Sequence, residues 1–329
     1  MKNIIVTGAA GFIGTNLIAK LLETKEYRII GIDNFDPYYN ISIKNKNVQT
    51  NMRWTLFDCI NTDISDSYNV DRVLKYAKAE FKGEPIDAVI HLAAQAGVGY
   101  STLNPLSVID NNIKGFDIML RMSHDYGTKK FIYASSSTVL GDHNGIYEQK
   151  SIYGVTKATN ELQGRMYAKM YDDMKIVGLR LYSVYGEKMR PDLAIKKFTE
   201  AMLNDEEIHV NGDGSIMRDF THVDDVVDAF KLFIDNEIKD SGQVYNVGRG
   251  EPISINDLIN LMKKIYDKED YNKVVYDEGK PYDAVLTNAW NLDLINNYGF
   301  EYKVSLEEGL RRYWDWMKRD GEGYYKGWC

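Results

Sequence analysis

Two side chains that could exchange a proton with a hydroxyl group lie four residues apart in the segment Ser151-Ile-Tyr-Gly-Val-Thr-Lys157. Tyr153 carries a phenol and Lys157 an ammonium group, and on a helix this spacing puts both on one face. A nearby ammonium group favours the phenolate and so lowers the pKa of a tyrosine. A pKa near the working pH is what a general acid/base needs. The pair therefore predicts proton transfer at a sugar hydroxyl, if the chain also binds a partner for that reaction.

A glycine-rich turn supplies such a partner. The segment Thr7-Gly-Ala-Ala-Gly-Phe-Ile-Gly14 lies between the apolar run Ile4–Val6 and a helical pattern. Its glycines allow a tight turn, close approach to a pyrophosphate and close packing of helix on strand, and a helix N-terminus attracts phosphate. Asp33 ends the next apolar run, where a carboxylate can bind ribose hydroxyls and repel a 2′-phosphate. The order predicts a dinucleotide site that favours NAD over NADP.

Short apolar runs alternate with helical patterns through the first half of the chain. The predicted strands are Ile4–Val6, Arg28–Ile32, Ala88–Leu92, Lys130–Ala134 and Ile176–Leu181, and the predicted helices lie near Tyr68–Phe81 and Val108–Tyr126. This alternation is typical of an α/β fold with a Rossmann-type, doubly wound parallel sheet. Residues 33–52 are polar with little periodicity, and we expect a long surface loop with, at most, a short helix near the ligand.

The order of elements becomes less regular after residue 181. Helical patterns cover Ala194–Leu203, Val223–Ile234, Ile255–Tyr266 and Leu306–Lys318, and the run Ile208–Val210 before Asn211-Gly-Asp-Gly214 predicts a hairpin. No repeat or flexible linker separates the two halves. We therefore expect a smaller C-terminal lobe that is interwoven with the first domain.

The composition excludes several classes of protein. The 329 residues include 40 Lys and Arg and 48 Asp and Glu, a formal net charge of −8, which argues against general binding to nucleic acid or an anionic membrane. Cys59 and Cys329 suggest a reducing compartment and no disulfide framework. Without a cleavable apolar segment or a membrane-spanning run, we expect a cytoplasmic protein. Five His and two Cys without clustered spacing predict no metal site.

The order of the motifs resembles the extended short-chain dehydrogenase/reductase superfamily from residue 2 to about residue 265. The motifs are the glycine turn, Asp33, His91-Leu-Ala-Ala94, Ser135-Ser-Ser137 and the Tyr153/Lys157 pair, and Leu179–Gly186 and Arg218–Asp225 resemble its nucleotide-sugar epimerase/dehydratase branch. Two segments, His91–Val98 and Tyr185–Leu193, are similar to UDP-glucuronate 4-epimerases. Those enzymes usually have Arg at the position of Gly99 and Tyr at that of Leu140. Residues 321–329 match no motif of the family.

The resemblance implies roles for the residues that match the motifs. Catalysis falls to Tyr153, Lys157 and Ser136. NAD contacts fall to Gly8, Gly11, Phe12, Ile13, Gly14, Asp33, Asn34, Asp58, Cys59, Leu92, Ala93 and Ala94, with Tyr153 and Lys157, and Asp58 and Cys59 face the adenine. Substrate contacts fall to Ser137, Thr138, Tyr182, Ser183, Arg190, Arg218 and Asp283, and Asn112 lies in the helix that supports the site. We expect residues 1–177, with about 221–250, to form the NAD-binding Rossmann domain, and residues 178–220 and 251–329 to form the nucleotide-sugar-binding lobe.

Two residues with hydroxyl side chains limit the types of reaction that the site can catalyse. Dehydratases of the superfamily carry an acid/base carboxylate pair directly after the catalytic Ser or Thr, where this chain has Ser137 and Thr138. A hydroxyl cannot exchange protons near neutral pH as a carboxyl group does. What remains is hydride transfer without elimination, which is epimerisation or simple oxidation. The resemblance to UDP-glucuronate 4-epimerases implies epimerisation at C4 of UDP-glucuronate, giving UDP-galacturonate.

Other functions stay open at the level of the sequence. One is a UDP-glucose or UDP-N-acetylglucosamine 4-epimerase, or another nucleotide-sugar reductase or dehydratase of the same family. An alternative from another class of protein is a non-catalytic protein that binds NAD as a sensor. The resemblance also implies a homodimer formed through helices near residues 108–126 and 156–171.

Overall fold

The computed structural model describes residues 1–141, 148–290 and 293–326, so Cys329 lies outside the described residues. Its strands are β1 (Lys2–Thr7), β2 (Tyr27–Asp33), β3 (Phe57–Asn61), β4 (Ala88–His91), β5 (Lys130–Ser136), β6 (Lys175–Leu181), β7 (Val184–Tyr185), β8 (Ile208–Asn211), β9 (Met217–Asp219), β10 (Thr221–His222), β11 (Val244–Val247), β12 (Pro252–Ser254) and β13 (Val274–Asp277).

The helices follow the same order along the chain. They are α1 (Phe12–Glu23), α2 (Ile41–Asn51), α3 (Ser67–Glu80), α4 (Val98–Leu103), α5 (Pro105–Ile109), α6 (Gly115–Asp125), α7 (Ile152–Met170), α8 (Ala194–Asn204), α9 (Val223–Asp235), α10 (Ile255–Ile265), α11 (Asp293–Tyr298), α12 (Leu306–Trp316) and α13 (Glu322–Tyr325). Asp110–Lys114 and Met317–Gly321 are π-helical, and Ser137–Leu140 is a 3-10 turn. Within the described ranges, no helix is both long and apolar enough to span a bilayer.

Seven of the described strands form one parallel sheet in the order β3–β2–β1–β4–β5–β6–β11. The strand order reverses between β1 and β4, so a crevice opens at the carboxyl ends of these strands. β4 is buried along its whole length, as a central strand covered on both faces must be. The predicted doubly wound parallel sheet is confirmed.

Two apolar cores lie on opposite faces of this sheet. Leu17 of α1 and Phe230 of α9 belong to the first core, which extends to Leu310 of α12. Leu74 of α3 and Phe116 of α6 belong to the second. Helices therefore pack on both faces, and the C-terminal elements join the core of the first face.

The C-terminal lobe is interwoven with the sheet, as predicted. The chain leaves the main sheet after β6, forms β7 to β10, and returns to pair β11 in parallel with β6. The predicted hairpin after Val210 is wrong. β8 pairs in parallel with β13, and β9 pairs with β12. Glycines with φ of +71° and +76° at Gly212 and Gly214 turn the chain, but the turn leads to a strand in a different small sheet.

The polar segment after β2, where a long loop with a short helix near the ligand was the expectation, contains a helix of 11 residues. The helix α2 starts at a side-chain cap, where Asn40 accepts a hydrogen bond from the Ser42 amide at 2.9 Å. Its buried face carries the polar residues Lys44, Asn47 and Asn51 as well as apolar ones. The apolar periodicity that marks an amphipathic helix is therefore absent.

Candidate active site

A cavity of about 450 Å³ lies at the carboxyl ends of the central strands. Its volume falls in the range of small-molecule sites. Every residue predicted above to act on or bind the cofactor or substrate lines it, apart from Asp58 and Cys59. The fold therefore brings together residues from the first βα turn, β5, α7, β9 and the segments that follow β6 and β13.

The glycine turn gives the cavity a wall of backbone. Gly8 has φ +70°, and a Cβ there would lie 2.8 Å from the amide nitrogen of Ala93. A Cβ on Gly14 would lie 2.2 Å from the carbonyl oxygen of Gly8, so α1 packs directly on the turn. No side chain caps the start of α1 at Gly11, which leaves its first amides for an anion. This arrangement fits the pyrophosphate of a dinucleotide.

Asp33 sits at the end of β2, where a ribose would lie. Its buried carboxylate accepts hydrogen bonds from the amides of Ala10 at 3.1 Å and Phe35 at 2.9 Å. The ammonium group of Lys44, from α2, is 3.5 Å from the same carboxylate and also lines the cavity. The carboxylate is thus fixed in place, as binding of ribose hydroxyls requires, and Lys44 is a cavity residue that the sequence did not reveal.

Asp58 and Cys59 lie outside the cavity lining. Both belong to β3 at the edge of the sheet, and Asp58 accepts a hydrogen bond from the Tyr76 hydroxyl at 2.6 Å. Burial raises the pKa of Cys59 to about 12. Thr62 and Ile64, a few residues later, line the cavity instead. The assignment of Asp58 and Cys59 to adenine stays a prediction.

The helix α7 presents Tyr153 and Lys157 to the cavity. Ser151 caps the helix by accepting a hydrogen bond from the Gly154 amide at 3.0 Å, so Tyr153 lies in the first turn and Lys157 one turn later. The Lys157 ammonium donates to the carbonyl oxygen of Ala134 at 2.8 Å and is 6.0 Å from the centre of the Tyr153 ring. The predicted helix and shared face are confirmed.

Ser136 joins this pair from the end of β5. Its hydroxyl lies near enough to the phenol of Tyr153 to lower the pKa of that group. The amide and the hydroxyl of Thr138 both donate to the Ser136 oxygen, at 3.2 and 2.9 Å. Because that oxygen already accepts two hydrogen bonds, its own hydrogen is free to point towards Tyr153 or a substrate oxygen.

The protonation of the pair differs from the prediction. Burial raises the pKa of Tyr153 above its ordinary value, while the positive charge of Arg190 and the hydrogen bond from Ser136 act in the opposite direction. Burial also lowers the pKa of Lys157 to about 8, with Glu161 opposing. The predicted net lowering of the Tyr153 pKa is wrong for the protein alone, because the spacing of Tyr153 and Lys157 says nothing about their burial.

Arg190 is held beside the cavity by two residues that sequence reasoning missed. Its guanidinium donates two hydrogen bonds to the carboxylate of Asp192, at 2.9 and 2.7 Å. The Tyr38 hydroxyl donates to the same carboxylate at 3.1 Å, and its ring lies 5.7 Å from the guanidinium carbon. Such a two-pronged pair fixes the orientation of the guanidinium plane. Asp192 follows Arg190 in the segment that carries the family resemblance, but no spacing rule points to Tyr38.

A buried ion pair connects the strands and the helix that carry the catalytic candidates. Arg180 of β6 donates to both carboxylate oxygens of Glu161 in α7, each at 2.7 Å. Ser135, next to Ser136, donates to the same carboxylate at 2.6 Å. The network ties β5, β6 and α7 together where they meet the cavity, and removal of one partner would leave a buried charge.

Asn112 also supports the site, as the resemblance implied. Its side chain accepts from the Gln95 amide at 2.8 Å and donates to the Thr156 hydroxyl at 3.0 Å. Asn160 donates to the carbonyl oxygen of Asn112 at 2.7 Å, within the π-helical turn Asp110–Lys114. A π-turn frees such a carbonyl from its usual partner, and here a side chain of α7 satisfies it.

Arg218 and Asp283 both line the cavity. Arg218 donates to the carbonyl oxygen of Ala284 at 2.7 Å, next to Asp283. The neighbouring Asp219 accepts hydrogen bonds from the amides of Arg249, Gly250 and Ala289 at 3.1, 2.8 and 3.0 Å. Asp219 is therefore a structural anchor of the lobe, while Arg218 holds the segment that closes the rim.

Known proteins are similar to this chain in sequence and in fold. Residues 4–248 match the NAD dependent epimerase/dehydratase family. The chain is 33% identical to protein CapI of Staphylococcus aureus over 98% of its own length and 99% of CapI. It is 31% identical to the UDP-glucuronic acid 4-epimerase of Bacillus cereus, solved with UDP-glucuronic acid and NAD, with a TM-score of 0.88 over 96% of this chain and 99% of that one. The corresponding values for the UDP-glucose 4-epimerase of Thermotoga maritima are 32% and 0.85, over 96% and 99%.

The motif order, the dinucleotide cradle and these similarities agree. The likeness covers nearly the whole chain and includes both the sheet and the C-terminal lobe. The chain therefore belongs to the NAD-dependent epimerase/dehydratase family, within the extended short-chain dehydrogenases/reductases, and is an NAD-dependent epimerase.

Proposed function

We propose that this protein is a UDP-glucuronate 4-epimerase, which interconverts UDP-glucuronate and UDP-galacturonate. One observation carries the proposal. Tyr153, Ser136 and the cation Arg190 line one cavity beside the dinucleotide cradle, and the residues after Ser136 are the hydroxyl residues Ser137 and Thr138. The site therefore offers proton transfer and a charge for a carboxylate, without the carboxyl groups that elimination requires.

Proton transfer at C4 falls to Tyr153. When bound, NAD supplies a reversible hydride acceptor for this carbon. Tyr153, as the phenolate, takes the proton of the 4-hydroxyl and later returns it to the same oxygen, once the configuration at C4 has been inverted by return of the hydride to the other face of the sugar. Ser136 hydrogen-bonds the same oxygen, since its own acceptor capacity is filled by Thr138. Lys157, fixed on the carbonyl of Ala134, holds positive charge next to the phenol.

Arg190 is the proposed contact for the C6 carboxylate of the sugar. Asp192 occupies one edge of its guanidinium through two hydrogen bonds. A guanidinium has five donors, so further donors remain for a substrate carboxylate, which would form charge-assisted hydrogen bonds. The hydroxyls of Ser137, Thr138 and Ser183 line the same cavity and offer neutral donors around that group.

The other cavity residues are assigned either to the cofactor or to the nucleotide sugar. Gly8, Gly11, Phe12, Ile13, Gly14, Asp33 and Asn34 would hold the cofactor with Leu92, Ala93 and Ala94, and Tyr182, Arg218 and Asp283 would face the nucleotide sugar. We assign residues 1–177 and about 221–250 to the NAD-binding domain, and 178–220 and 251–329 to the nucleotide-sugar lobe. The return of the chain to β11 in the main sheet supports this division.

We also propose a homodimer. Leu106 of α5 is 76% exposed, and Leu162 and Met170 of α7 are 65% and 60% exposed. The two helices pack on each other, so these side chains present apolar surface on adjacent elements. A second copy of the chain would remove that surface from water.

A second candidate is a 4-epimerase for neutral UDP-hexoses. The chain has Gly99 where UDP-glucuronate 4-epimerases usually have Arg, and the structural likeness to the UDP-glucose 4-epimerase is nearly as high as that to the UDP-glucuronic acid enzyme. The deciding experiment incubates the purified protein separately with UDP-glucuronate, UDP-glucose and UDP-N-acetylglucosamine and follows the C4 epimer by NMR. A higher kcat/KM for UDP-glucuronate is expected. A preference for either neutral sugar would replace the proposal by the second candidate.

A further inference from the structure

The C-terminal segment, residues 322–326, packs across the loop that carries Arg190. This loop, residues 186–193, joins β7 to α8 and is called the Arg190 loop here. The sequence of the C-terminal segment matches no motif of the family, so the resemblance gives it no role. Its contacts indicate a role, because they connect the segment both to the Arg190 loop and, through α2, to the glycine turn.

Two tyrosines of the segment contact the backbone of the Arg190 loop just before the arginine. The Tyr325 hydroxyl donates to the carbonyl oxygen of Met189 at 2.6 Å, and the Tyr324 hydroxyl lies 3.4 Å from that of Lys188. Lys188 has φ +64°, a left-handed conformation that is costly for a residue with a side chain. Contacts from outside the loop are therefore needed to keep it in this shape.

The same segment reaches the glycine turn through α2. The Tyr324 hydroxyl donates to the side-chain oxygen of Asn47 at 2.7 Å, and the Asn47 amide group donates to the carbonyl oxygen of Ala10 in the glycine turn at 2.8 Å. The Lys46 ammonium donates to the carbonyl oxygens of Gly323, Tyr324 and Lys326 at 2.5, 3.1 and 2.9 Å. A continuous chain of hydrogen bonds thus joins the dinucleotide cradle to the C-terminal segment.

The ring of Tyr325 is held independently of its bond to Met189. The Lys196 ammonium lies 4.7 Å from the centre of the ring, and the ring of Tyr324 lies 4.9 Å from it between ring centres. Trp316 packs at 6.0 Å between ring centres. Loss of the hydroxyl alone would therefore leave the ring in place and release the loop.

We propose that the C-terminal segment is a positioning element of the active site, in which the Tyr325 hydroxyl holds the Arg190 loop so that the guanidinium faces the sugar. Tyr325 acts through the loop and does not touch the reacting atoms. The part of this inference that concerns the uronate rests on the proposed function, whereas the part that concerns the loop does not.

The test compares Tyr325→Phe with the matched control Tyr271→Phe. The Tyr271 hydroxyl also donates to backbone carbonyls, those of Glu206 and Lys273, and Tyr271 does not line the cavity. Amide hydrogen exchange of residues 186–193 should rise in Tyr325→Phe and stay unchanged in Tyr271→Phe. The KM for UDP-glucuronate should rise about fivefold in Tyr325→Phe, as expected for one lost hydrogen bond, with kcat and the KM for UDP-glucose changed less than about twofold.

The exchange results distinguish a local effect of Tyr325 on the Arg190 loop from no such effect. Unchanged exchange in residues 186–193 would overturn the inference, and so would a uniform rise across the central sheet, which would mean general loosening. If Tyr325→Phe does not fold, Tyr324→Phe should raise exchange in the same loop, because it removes the hydroxyl that contacts the carbonyl oxygen of Lys188. If the wild-type protein does not turn over UDP-glucuronate, the proposed function fails, and the exchange measurement alone still decides whether the segment positions the loop.

Discussion

The ammonium group of Lys157 donates a hydrogen bond to the carbonyl oxygen of Ala134 at 2.8 Å, which anchors α7 to the end of β5. The same ammonium is 6.0 Å from the centre of the Tyr153 ring. The lysine is buried, and burial lowers its pKa from 10.5 to about 8. Lys157 therefore anchors α7 to β5, and it also takes part in the proposed chemistry. Burial of its charge has a cost in stability.

That cost predicts a pH dependence of stability. Below pH 8 the folded state holds a buried charge, and as the pH rises from about 8 to about 10.5 the unfolded state binds more protons, so the free energy of unfolding rises. Lys157→Met removes this term. The variant should gain about 3 kcal/mol relative to wild type at pH 7, and the gain should vanish towards pH 10.5. Urea unfolding at several pH values measures it, and a difference that is constant with pH would contradict the assignment.

Tyr153→Phe should abolish turnover without unfolding the protein. The ring remains buried while the proton-transferring hydroxyl is lost, so kcat should fall by about a thousandfold or more. Ser136→Ala, which keeps the phenol and removes its hydrogen-bond partner, should lower kcat by a smaller factor. Single-turnover kinetics on UDP-glucuronate would measure both, and Tyr153→Phe with near wild-type kcat would rule out Tyr153 as the acid/base.

Arg190→Met should lower the preference for a uronate. Loss of a charge-assisted hydrogen bond is worth about 1.5–3 kcal/mol, so the ratio of kcat/KM for UDP-glucuronate to that for UDP-glucose should fall at least about tenfold. Arg249→Met is the control, because Arg249 pairs with Glu251 and does not line the cavity. Equal losses on both substrates would show that Arg190 does not read the carboxylate.

The proposed homodimer can be broken at its apolar surface. Leu162→Glu places a charge on the exposed face of α7 and should shift the protein from dimer to monomer in analytical ultracentrifugation. Tyr68→Glu changes a side chain on α3 that is 70% exposed and should leave the dimer intact. A wild-type protein that sediments as a monomer at micromolar concentration would contradict the proposal.

The features of the fold that depend on local patterns were predictable from the sequence. Buried apolar runs marked β1, β2, β4, β5 and β6 because central strands of a covered parallel sheet are apolar on both faces. The helix α2 was not predictable, since Lys44, Asn47 and Asn51 occupy part of its buried face. The pairing of β8 with β13 was also hidden, because Ile208 finds its partner at Val274, far along the chain.

The features of the candidate site that depend on local patterns were likewise predictable, and those that depend on contacts between distant residues were not. The glycine turn and the Tyr153/Lys157 spacing lie within single local segments, and the structure brings them to one cavity. By contrast, the hydrogen bond between Tyr38 and Asp192 joins residues 154 positions apart, and no local pattern specifies such a contact. The net direction of the Tyr153 pKa depends on burial, which the spacing of two residues cannot give.

Deuterium at C4 of the sugar follows the hydride of the proposed reaction. UDP-glucuronate that carries deuterium at C4 is incubated with the purified protein, and the products are examined by NMR. UDP-galacturonate that retains the deuterium at C4 is expected, because the hydride that leaves this carbon returns to its other face. Absence of UDP-galacturonate, or its formation with loss of the label, would rule out epimerisation by reversible hydride transfer at C4.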